Sequence, residues 1–314
     1  MIRLAFGTSG TTGAPKDVVH TLDAMLCNAD AFNGLAGLNS STVMYHCLPW
    51  THMSGFLNTI LSPTVAGGRV AFGPTFSAKT AGYFWEGLAD YDANTVWITP
   101  TIAAALLRMN RLERDVTRTF GARLHHVFCG TAPLPRKTRE QWLDTFGIPL
   151  QESYGTSEHM LVSVQGKEDA SRYHDVGTLL PGIKLEIGDS NELFVNGTAT
   201  GDQGEMRDGR LTITGRIKDL IIRGGFNVAP VQIEEAVRKA DGVADAAVVG
   251  WPDEFWGEKI VVFAEGGEVK AIQAYCRSVL PKSHWPDFIE IVDKLPRNEM
   301  GKVRKSDLVS RIAA

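Results

Sequence analysis

The sequence has few cysteines and no long apolar run. Its four cysteines, Cys27, Cys47, Cys129 and Cys276, are widely spaced and form no Cys-x-x-Cys pair. They therefore predict buried thiols in a reducing compartment rather than a disulfide framework or a metal site. No stretch approaches the ~18 apolar residues needed to span a bilayer, and the first residues lack the charged and apolar regions of a signal peptide. We expect a cytoplasmic protein with no membrane segment.

Neither positive nor negative charge is present in large excess. The 314 residues carry a formal net charge of −4, with 22% charged and 44% hydrophobic residues. Without a basic excess, a nucleic-acid partner is not expected. His46, His125 and His126 lack metal-ligand spacing and no HExxH motif occurs, so we predict no zinc site. The absence of a G-x-S-x-G element excludes an α/β-hydrolase. The length allows a substantial core and more than one domain.

Glycine, serine and threonine are concentrated near the N-terminus in the stretch TSGTTGAPK. Its glycines let backbone N–H groups turn toward an anion, and its hydroxyls and lysine suit phosphate. Pro15 before the lysine rules out a Walker A loop. A solvated linker has similar composition, but the fixed Pro-Lys ahead of a predicted amphipathic helix favours phosphate binding. The predicted phosphate loop comprises Thr8, Ser9, Gly10, Thr11, Thr12, Gly13 and Lys16.

Helical and strand patterns alternate along the rest of the chain. Apolar periodicity predicts helices over residues 21–36, 52–66, 78–91, 101–110, 135–146, 230–239 and 269–280. We expect Pro63 to kink or end the second of these helices. Strands are predicted over residues 42–48, 69–72, 95–99, 124–129, 184–187, 192–195, 211–214, 246–251, 260–264 and 288–292.

This alternation predicts an α/β fold. Strands joined by helices indicate right-handed βαβ units and a mostly parallel sheet in a large domain, residues 1–216. The closely spaced short strands after Ser157 predict an antiparallel subdomain within it. A small, mobile α+β domain of about a hundred residues is predicted over 217–314.

Two motifs in the large domain offer groups that suit a nucleotide. The stretch QESYGTSE, residues 151–158, is predicted to follow a strand, where parallel sheets bind ligands. It supplies an aromatic face at Tyr154 and a hard oxygen ligand for Mg²⁺ at Glu158, although a surface turn has similar residues. The stretch TGD ends at Asp202, whose carboxylate could accept two hydrogen bonds, and by itself also fits a plain turn.

Two further motifs lie near the C-terminus. The stretch GRIKDLIIRGG contains Arg216 and Lys218 and ends in Gly224 and Gly225. A glycine pair lets backbone approach a ligand closely, and it also makes a tight turn. The stretch LPRNEMGK places Lys302 on a glycine-flexed loop, where it could reach a developing charge or belong to a solvated basic tail.

Taken in order, TSGTTGAPK, YGTSE, TGD, GRIKD with RGGFNVAP, and LPRNEMGK resemble the signatures of the adenylate-forming, or AMP-binding, superfamily. This superfamily includes acyl- and aryl-CoA ligases, and the resemblance runs from near residue 6 to near residue 309. It implies that a small-molecule carboxylic acid is activated by ATP and Mg²⁺ as acyl-AMP. Pyrophosphate is released, and the acyl group then passes to the thiol of CoA.

The resemblance also implies residue roles. The catalytic residues are Lys302, Glu158 and Lys16, and Glu158 is the metal ligand. ATP binding falls to the phosphate loop together with Ser153, Tyr154, Gly155, Thr156, Ser157, Asp202 and Arg216. Ser157 stands where the family usually has threonine and keeps the hydroxyl. Lys218 is the hinge between domains, and Gly224 and Gly225 line the CoA tunnel. The segments PWTHMSG and GTAPL resemble acyl-pocket segments and contribute His52, Gly130, Thr131 and Ala132.

The sequence departs from the family in lacking the usual long segment before the phosphate loop. A natural minimal enzyme, a fragment and half of a split enzyme all fit this departure. A missing subdomain predicts an apolar face that a homo-oligomer or a partner chain covers.

Other functions remain open. The chain could adenylate an acid for a separate carrier protein or an amine, or be a non-catalytic nucleotide-binding partner of another chain. The presence of Lys302, Glu158 and Asp202 favours catalysis. Trp50 and Trp97 suggest that the acid is apolar.

Overall fold

The computed structural model describes residues 2–8, 16–110, 114–171 and 174–313. The α-helices of these residues are α1 Leu22–Ala36, α2 Ser62–Val65, α3 Phe84–Asp90, α4 Pro100–Met109, α5 Arg114–Arg123, α6 Arg136–Phe146, α7 Pro230–Lys239, α8 Val269–Val279 and α9 Lys305–Ala313. A π-helix, Ser54–Leu61, leads directly into α2.

The strands follow in chain order. In the N-terminal part they are β1 Arg3–Thr8, β2 Lys16–Thr21, β3 Val43–His46, β4 Arg69–Phe72, β5 Thr95–Ile98, β6 His126–Cys129, β7 Gln151–Thr156, β8 Met160–Val164 and β9 Thr178–Leu179. The later strands are β10 Leu185–Ile187, β11 Glu192–Val195, β12 Thr198–Arg207, β13 Arg210–Arg216, β14 Ile221–Arg223, β15 Phe226–Val228, β16 Val243–Asp253, β17 Gly257–Gly266 and β18 Phe288–Val292.

The large sheet has the strand order β10-β11-β12-β13-β9-β8-β7-β6-β5-β3-β4 among the described residues. Its run from β4 to β7 is parallel throughout, and antiparallel pairing begins between β7 and β8. The predicted α/β fold, with a parallel sheet extended by an antiparallel part, is therefore confirmed. Because the parallel strands share one direction, the segments after β3, β5 and β6 all leave the same edge of the sheet.

Aromatic side chains fill the core beneath this sheet. The indole of Trp97 on β5 lies 5.4 Å from the ring of Phe32 and 5.0 Å from that of Phe128. The ring of Tyr45 on β3 occupies space that a side chain at Gly73 or Gly87 would need. Trp97 is thus a core residue, and its presence is no indication of an apolar acid.

Several local expectations need correction. Pro63 does not end its helix, which continues to Val65, because it lies in the first turn of α2, where a missing N–H is tolerated. Cys27 is exposed on α1, whereas the other cysteines are buried as expected. The residues at 151–156 form β7 themselves rather than following a strand, and Asp202 lies inside β12 rather than in a plain turn.

The second sheet has the order β15-β14-β17-β16, with β18 parallel to β17. Helices α7 and α8 supply apolar side chains to its core, including Ile233, Val237 and Ile272. The short β14–β15 hairpin turns through Gly224 and Gly225, whose φ angles are +57° and +82°. Positive φ at both positions is typical of a type I′ turn, which explains the glycine pair.

The chain divides into two compact units. The first unit comprises Met1–Glu186, Phe194–Thr200 and Met206–Thr212, and the second comprises Ile187–Leu193, Gly201–Glu205 and Ile213–Ala314. The functional boundary at residue 216 stays a prediction. Within the described part of the chain, no helix has the length and apolar character to cross a membrane.

Candidate functional site

The predicted phosphate loop joins the two strands of an antiparallel hairpin. The backbones of β1 and β2 pair in register from Arg3 opposite Thr21 to Thr8 opposite Lys16. The loop therefore leaves and re-enters the hairpin at adjacent points. The loop residues Ser9, Gly10, Thr11, Thr12 and Gly13 lie outside the described residues.

The YGTSE motif spans the end of β7 and the turn into β8. Ser153, Tyr154, Gly155 and Thr156 are on the strand, while Ser157 and Glu158 belong to the turn. The Thr156 hydroxyl oxygen accepts a hydrogen bond from the backbone N–H of His159 at 3.1 Å, which closes the turn. Tyr154 is buried and Glu158 is exposed, so the carboxylate at the tip is accessible to a cation.

The first unit brings the hairpin and this turn together. The Nε2 atom of His20 on β2 lies 2.7 Å from the carbonyl oxygen of Ser157. Asn28 on α1 donates to the carbonyl oxygen of Leu161 at 2.8 Å and accepts from its N–H at 3.2 Å. Sequence reasoning did not find His20 or Asn28, because neither belongs to a motif and the contacts span more than a hundred residues.

The predicted acyl-pocket turn follows β6 and lies against the same strand. A Cβ atom at Gly130 would approach the Ser153 Oγ atom to 2.8 Å, so a side chain there would require the Ser153 hydroxyl to move. Thr131 has a φ of +75°, a strained conformation for a β-branched residue. His52 lies beyond β3, just before the π-helix, where its carbonyl oxygen accepts from the Phe56 N–H at 3.0 Å.

In the second unit, Asp202 and Arg216 form an ion pair. The Nε atom of Arg216 lies 2.5 Å from Oδ1 of Asp202, and the Asp202 carboxylate is buried. The two residues belong to neighbouring strands, β12 and β13. The predicted ribose and phosphate ligands are thus held together.

The charges of this ion pair affect the pKa of Lys302. Desolvation of the ammonium group, together with the positive charges of Arg216 and Lys218, lowers the pKa of Lys302 to about 8 against the opposing effect of Asp219 and Asp202. The residue as a whole remains exposed. Its ammonium group is therefore partly surrounded by protein atoms but still accessible to water. The structure therefore places the predicted catalytic lysine, hinge and ribose ligand in one region of the second unit.

The loop that carries Lys302 has a defined shape. The Asn298 side-chain oxygen accepts hydrogen bonds from the backbone N–H groups of Met300 at 3.1 Å and Lys302 at 2.9 Å. Arg297 contacts Asp245 and donates to the Gly301 carbonyl oxygen at 2.9 Å. Asn298 could have been found from sequence, since asparagine commonly bonds to the backbone of the turn that follows it.

The glycine pair lies beside an aromatic side chain. The backbone N–H of Gly224 donates to the Trp256 carbonyl oxygen at 2.7 Å, and the Arg223 guanidinium lies 4.8 Å from the centre of the Trp256 ring. Lys218 lies in the short helical turn Ile217–Asp219 and is exposed.

The donor set fits Mg²⁺ bound together with ATP. Mg²⁺ is usually held by one or two carboxylates, by phosphate oxygens and by water, and Glu158 offers one accessible carboxylate. No cluster of three or more His, Cys, Asp or Glu side chains suited to a metal occurs among the described residues. A metal held by an all-protein cage is therefore not indicated in this part of the chain.

Comparisons with known proteins agree with these features. The mitochondrial malonate–CoA ligase of Bos taurus is 27% identical, over 97% of this chain and 63% of its own length. The sulfoacetate–CoA ligase of Cupriavidus necator is 28% identical, over 96% of this chain and 66% of its own length. The crystal structure of ATP-bound MatB from Rhodopseudomonas palustris matches with a TM-score of 0.87 and 26% identity, covering 98% of this chain and 67% of that chain.

The chain thus spans about two thirds of the length of these relatives. Residues 6–215 match the AMP-binding enzyme family, and residues 232–302 match the AMP-binding enzyme C-terminal domain. Since the first match alone covers more than half of the chain, this protein belongs to the AMP-binding enzyme family.

Proposed function

We propose that this chain activates a carboxylic acid as acyl-AMP, using ATP and Mg²⁺, and then transfers the acyl group to the thiol of CoA. The placement of Lys302 beside the Asp202–Arg216 ion pair carries the proposal. With the ribose hydroxyls bonded to Asp202 and the α-phosphate near Arg216, the Lys302 ammonium lies close to the reacting groups. The naming of relatives as CoA ligases supports the same chemistry.

The first step is an in-line substitution at the α-phosphorus. A carboxylate oxygen forms a bond to phosphorus as the bond to pyrophosphate breaks, and two anionic reactants are brought together. Lys302 stabilises the charge that develops, while the loop from Thr8 to Lys16 holds the β- and γ-phosphates. Glu158 would hold Mg²⁺, which would supply positive charge against the phosphates.

The second step is acyl transfer. The CoA sulfur bonds to the acyl carbon, AMP leaves with the electrons of the broken C–O bond, and the thiol proton passes to solvent. In the proposal, Gly224 and Gly225 line the path of the thiol. A rotation about Lys218 withdraws Lys302 from the reacting groups and presents this glycine pair to the thiol.

Pyrophosphate release tests the proposal directly. The protein is incubated with ATP and Mg²⁺ against aryl, medium-chain and dicarboxylic acids, with and without CoA, and the panel includes malonate and sulfoacetate because those names belong to relatives. Acid-dependent release supports adenylation, and formation of acyl-CoA identifies the acceptor. ATP binding without release for any acid would contradict catalysis and favour a binding-only role.

Lys302→Ala gives the first mutational test. We expect pyrophosphate release to fall by about 10²–10³ because a charge aimed at the transition state is lost. ATP binding, measured by calorimetry, should persist because the loop, Asp202 and Arg216 are unchanged. An unaltered rate of release would remove Lys302 from the mechanism.

We also propose that the Met1–Ala314 chain works as a homo-oligomer or with a second polypeptide. Several large apolar side chains of the first unit are exposed, including Ile2, Val19, Trp50 and Phe72. Light scattering of the purified chain tests this proposal, and a monodisperse, fully active monomer would contradict it.

A further inference from the structure

We propose that His20 is a positioning residue which, with Asn28, fixes the Glu158 turn relative to β2, the strand that leads out of the phosphate loop at Lys16. The inference rests on the proposed function, in which that loop and Glu158 bind the same Mg²⁺–ATP complex. Its basis is a pair of contacts on either side of Glu158, both made by the segment that immediately follows the loop.

The hairpin that carries the loop needs an anchor. β1 and β2 form a two-stranded sheet of their own, and such a hairpin is marginally stable alone. Phe6 provides one anchor, because it is buried and its ring lies 5.8 Å from that of Phe56. This apolar contact holds the hairpin against the π-helix rather than against the Glu158 turn.

His20 supplies the contact on the N-terminal side of Glu158. Its Nε2 atom lies 2.7 Å from the carbonyl oxygen of Ser157, the residue just before Glu158. A carbonyl oxygen only accepts, so we assign the proton to Nε2. His20 belongs to β2, which begins at Lys16, so the same strand connects the loop lysine to the turn.

Asn28 supplies the contact on the C-terminal side. Its amide is buried and satisfies both backbone groups of Leu161, at 2.8 Å and 3.2 Å. Leu161 pairs with Gly155 across the β7–β8 ladder. Asn28 therefore attaches α1 to the strand that receives the turn.

The turn between these two contacts is internally well defined. The Thr156 hydroxyl accepts from the His159 N–H at 3.1 Å, and Met160 has a φ of +60°. Loss of the His20 contact is therefore expected to shift the turn as a body relative to Lys16 rather than to unfold it. Glu158 would contribute one carboxylate to bound Mg²⁺, so we expect a small shift of that carboxylate to weaken Mg²⁺–ATP binding.

Two amide variants of different reach test the proposal. The glutamine side chain of His20→Gln places its amide nitrogen at the position of Nε2. The asparagine side chain of His20→Asn is shorter by one methylene group, so its amide nitrogen does not reach that position. We expect His20→Asn to weaken Mg²⁺–ATP binding about tenfold, the effect of one hydrogen bond. His20→Gln should stay within about threefold of the wild type by the same reasoning. His125→Asn, at an exposed histidine just before β6, is the matched control and should leave binding unchanged.

Binding is measured by calorimetry with Mg²⁺ and ATP and no acid, so the result does not depend on turnover. Pyrophosphate release then gives the apparent constants for ATP and Mg²⁺, which should rise in His20→Asn while kcat changes less. Equal binding by the Asn and Gln variants would overturn the proposal, as would a loss that both share. Should the wild type bind Mg²⁺–ATP yet release no pyrophosphate, the proposed function fails and the His20 comparison still stands on binding.

Discussion

The chemistry of Lys302 depends on the groups around its ammonium. Desolvation brings its pKa to about 8 in the protein without nucleotide, and its proposed role requires the charged form. The ammonium is fully protonated well below pH 8 and is lost as the pH rises through that value. We therefore expect kcat/KM for ATP to fall on the alkaline side with a midpoint near 8, since this parameter reports groups of the free enzyme.

Asp219→Asn identifies the group responsible for that alkaline fall. The Asp219 carboxylate raises the pKa of Lys302, so its neutralisation should move the midpoint to lower pH. Glu168→Gln is a charge-matched control in the first unit and should leave the midpoint in place. A midpoint that does not respond to Asp219→Asn would assign the alkaline fall to another group.

Asn298 is expected to act through the shape of the Lys302 loop. Its side-chain oxygen accepts from the N–H groups of Met300 and Lys302, and an aspartate at this position can accept both bonds. We predict that Asn298→Ala lowers the adenylation rate by about tenfold or more, because a displaced catalytic group loses alignment, while ATP binding is retained. Asn298→Asp should keep most of the rate. Equal losses in single-turnover adenylation by both variants would argue against this role.

At the scale of elements, the sequence predicted those helices and strands whose local preferences agree with their surroundings. Helix α7 and strands β4 and β18 have the predicted bounds, because each combines a regular apolar pattern with a clear boundary. Helix α5 was missed, since its sequence RDVTRTFGAR is rich in residues of modest helix propensity. Tertiary packing supplies what this segment lacks locally.

The predicted site likewise has parts that the local sequence indicates and parts that depend on the folded chain. The motifs of the predicted phosphate loop, the Glu158 turn and the Lys302 loop can be recognised from the sequence alone, because they place glycines and charged residues at fixed spacing. The β1–β2 hairpin was missed, because its strands flank the loop with few residues and no strong alternation. TGD by itself fits a plain turn, since glycine and aspartate disfavour strands, yet pairing with neighbouring strands places Asp202 in β12. His20 and Asn28 depend on contacts that only the folded chain creates.

Two helical glycines test how packing decides an element's stability. A Cβ atom at Gly121 in α5 would lie 1.8 Å from the Phe146 carbonyl oxygen, whereas one at Gly34 in α1 meets nothing within 4 Å. We predict that Gly34→Ala raises the free energy of unfolding by about 0.5–1 kcal/mol, the usual helix-propensity gain. Gly121→Ala should lower it by more than about 2 kcal/mol, because backbone must move. Urea unfolding of both variants checks the sign, and equal shifts would contradict the packing argument.

At the scale of the whole molecule, the predicted roles are divided between two compact units. The phosphate loop, the Glu158 turn and the predicted acyl pocket belong to the first unit, while Asp202, Arg216, Lys302 and the glycine pair belong to the second. The proposed adenylation step uses predicted residues of each unit, whereas the glycine pair is proposed to serve only the transfer to CoA. Substitution at that pair should therefore separate the two half-reactions.

Two matched turns make this separation measurable. Gly225 ends the β14–β15 turn at a φ of +82°, and Gly209 ends the β12–β13 turn at +74°, with nothing within 4 Å of a Cβ atom at either position. Alanine therefore introduces the same backbone strain, about 1–2 kcal/mol, at both sites. Only at Gly225 does it add a methyl group to the proposed thiol path.

We predict that Gly225→Ala slows acyl-CoA formation about tenfold, because a methyl group obstructs alignment of the thiol. Pyrophosphate release in the absence of CoA should stay within about twofold, and Gly209→Ala should leave both steps near the wild-type rates. Rapid-quench measurement of acyl-AMP and acyl-CoA in one reaction resolves the steps. Equal slowing of both steps by Gly225→Ala would show that the glycine pair supports the whole active protein rather than the transfer to CoA.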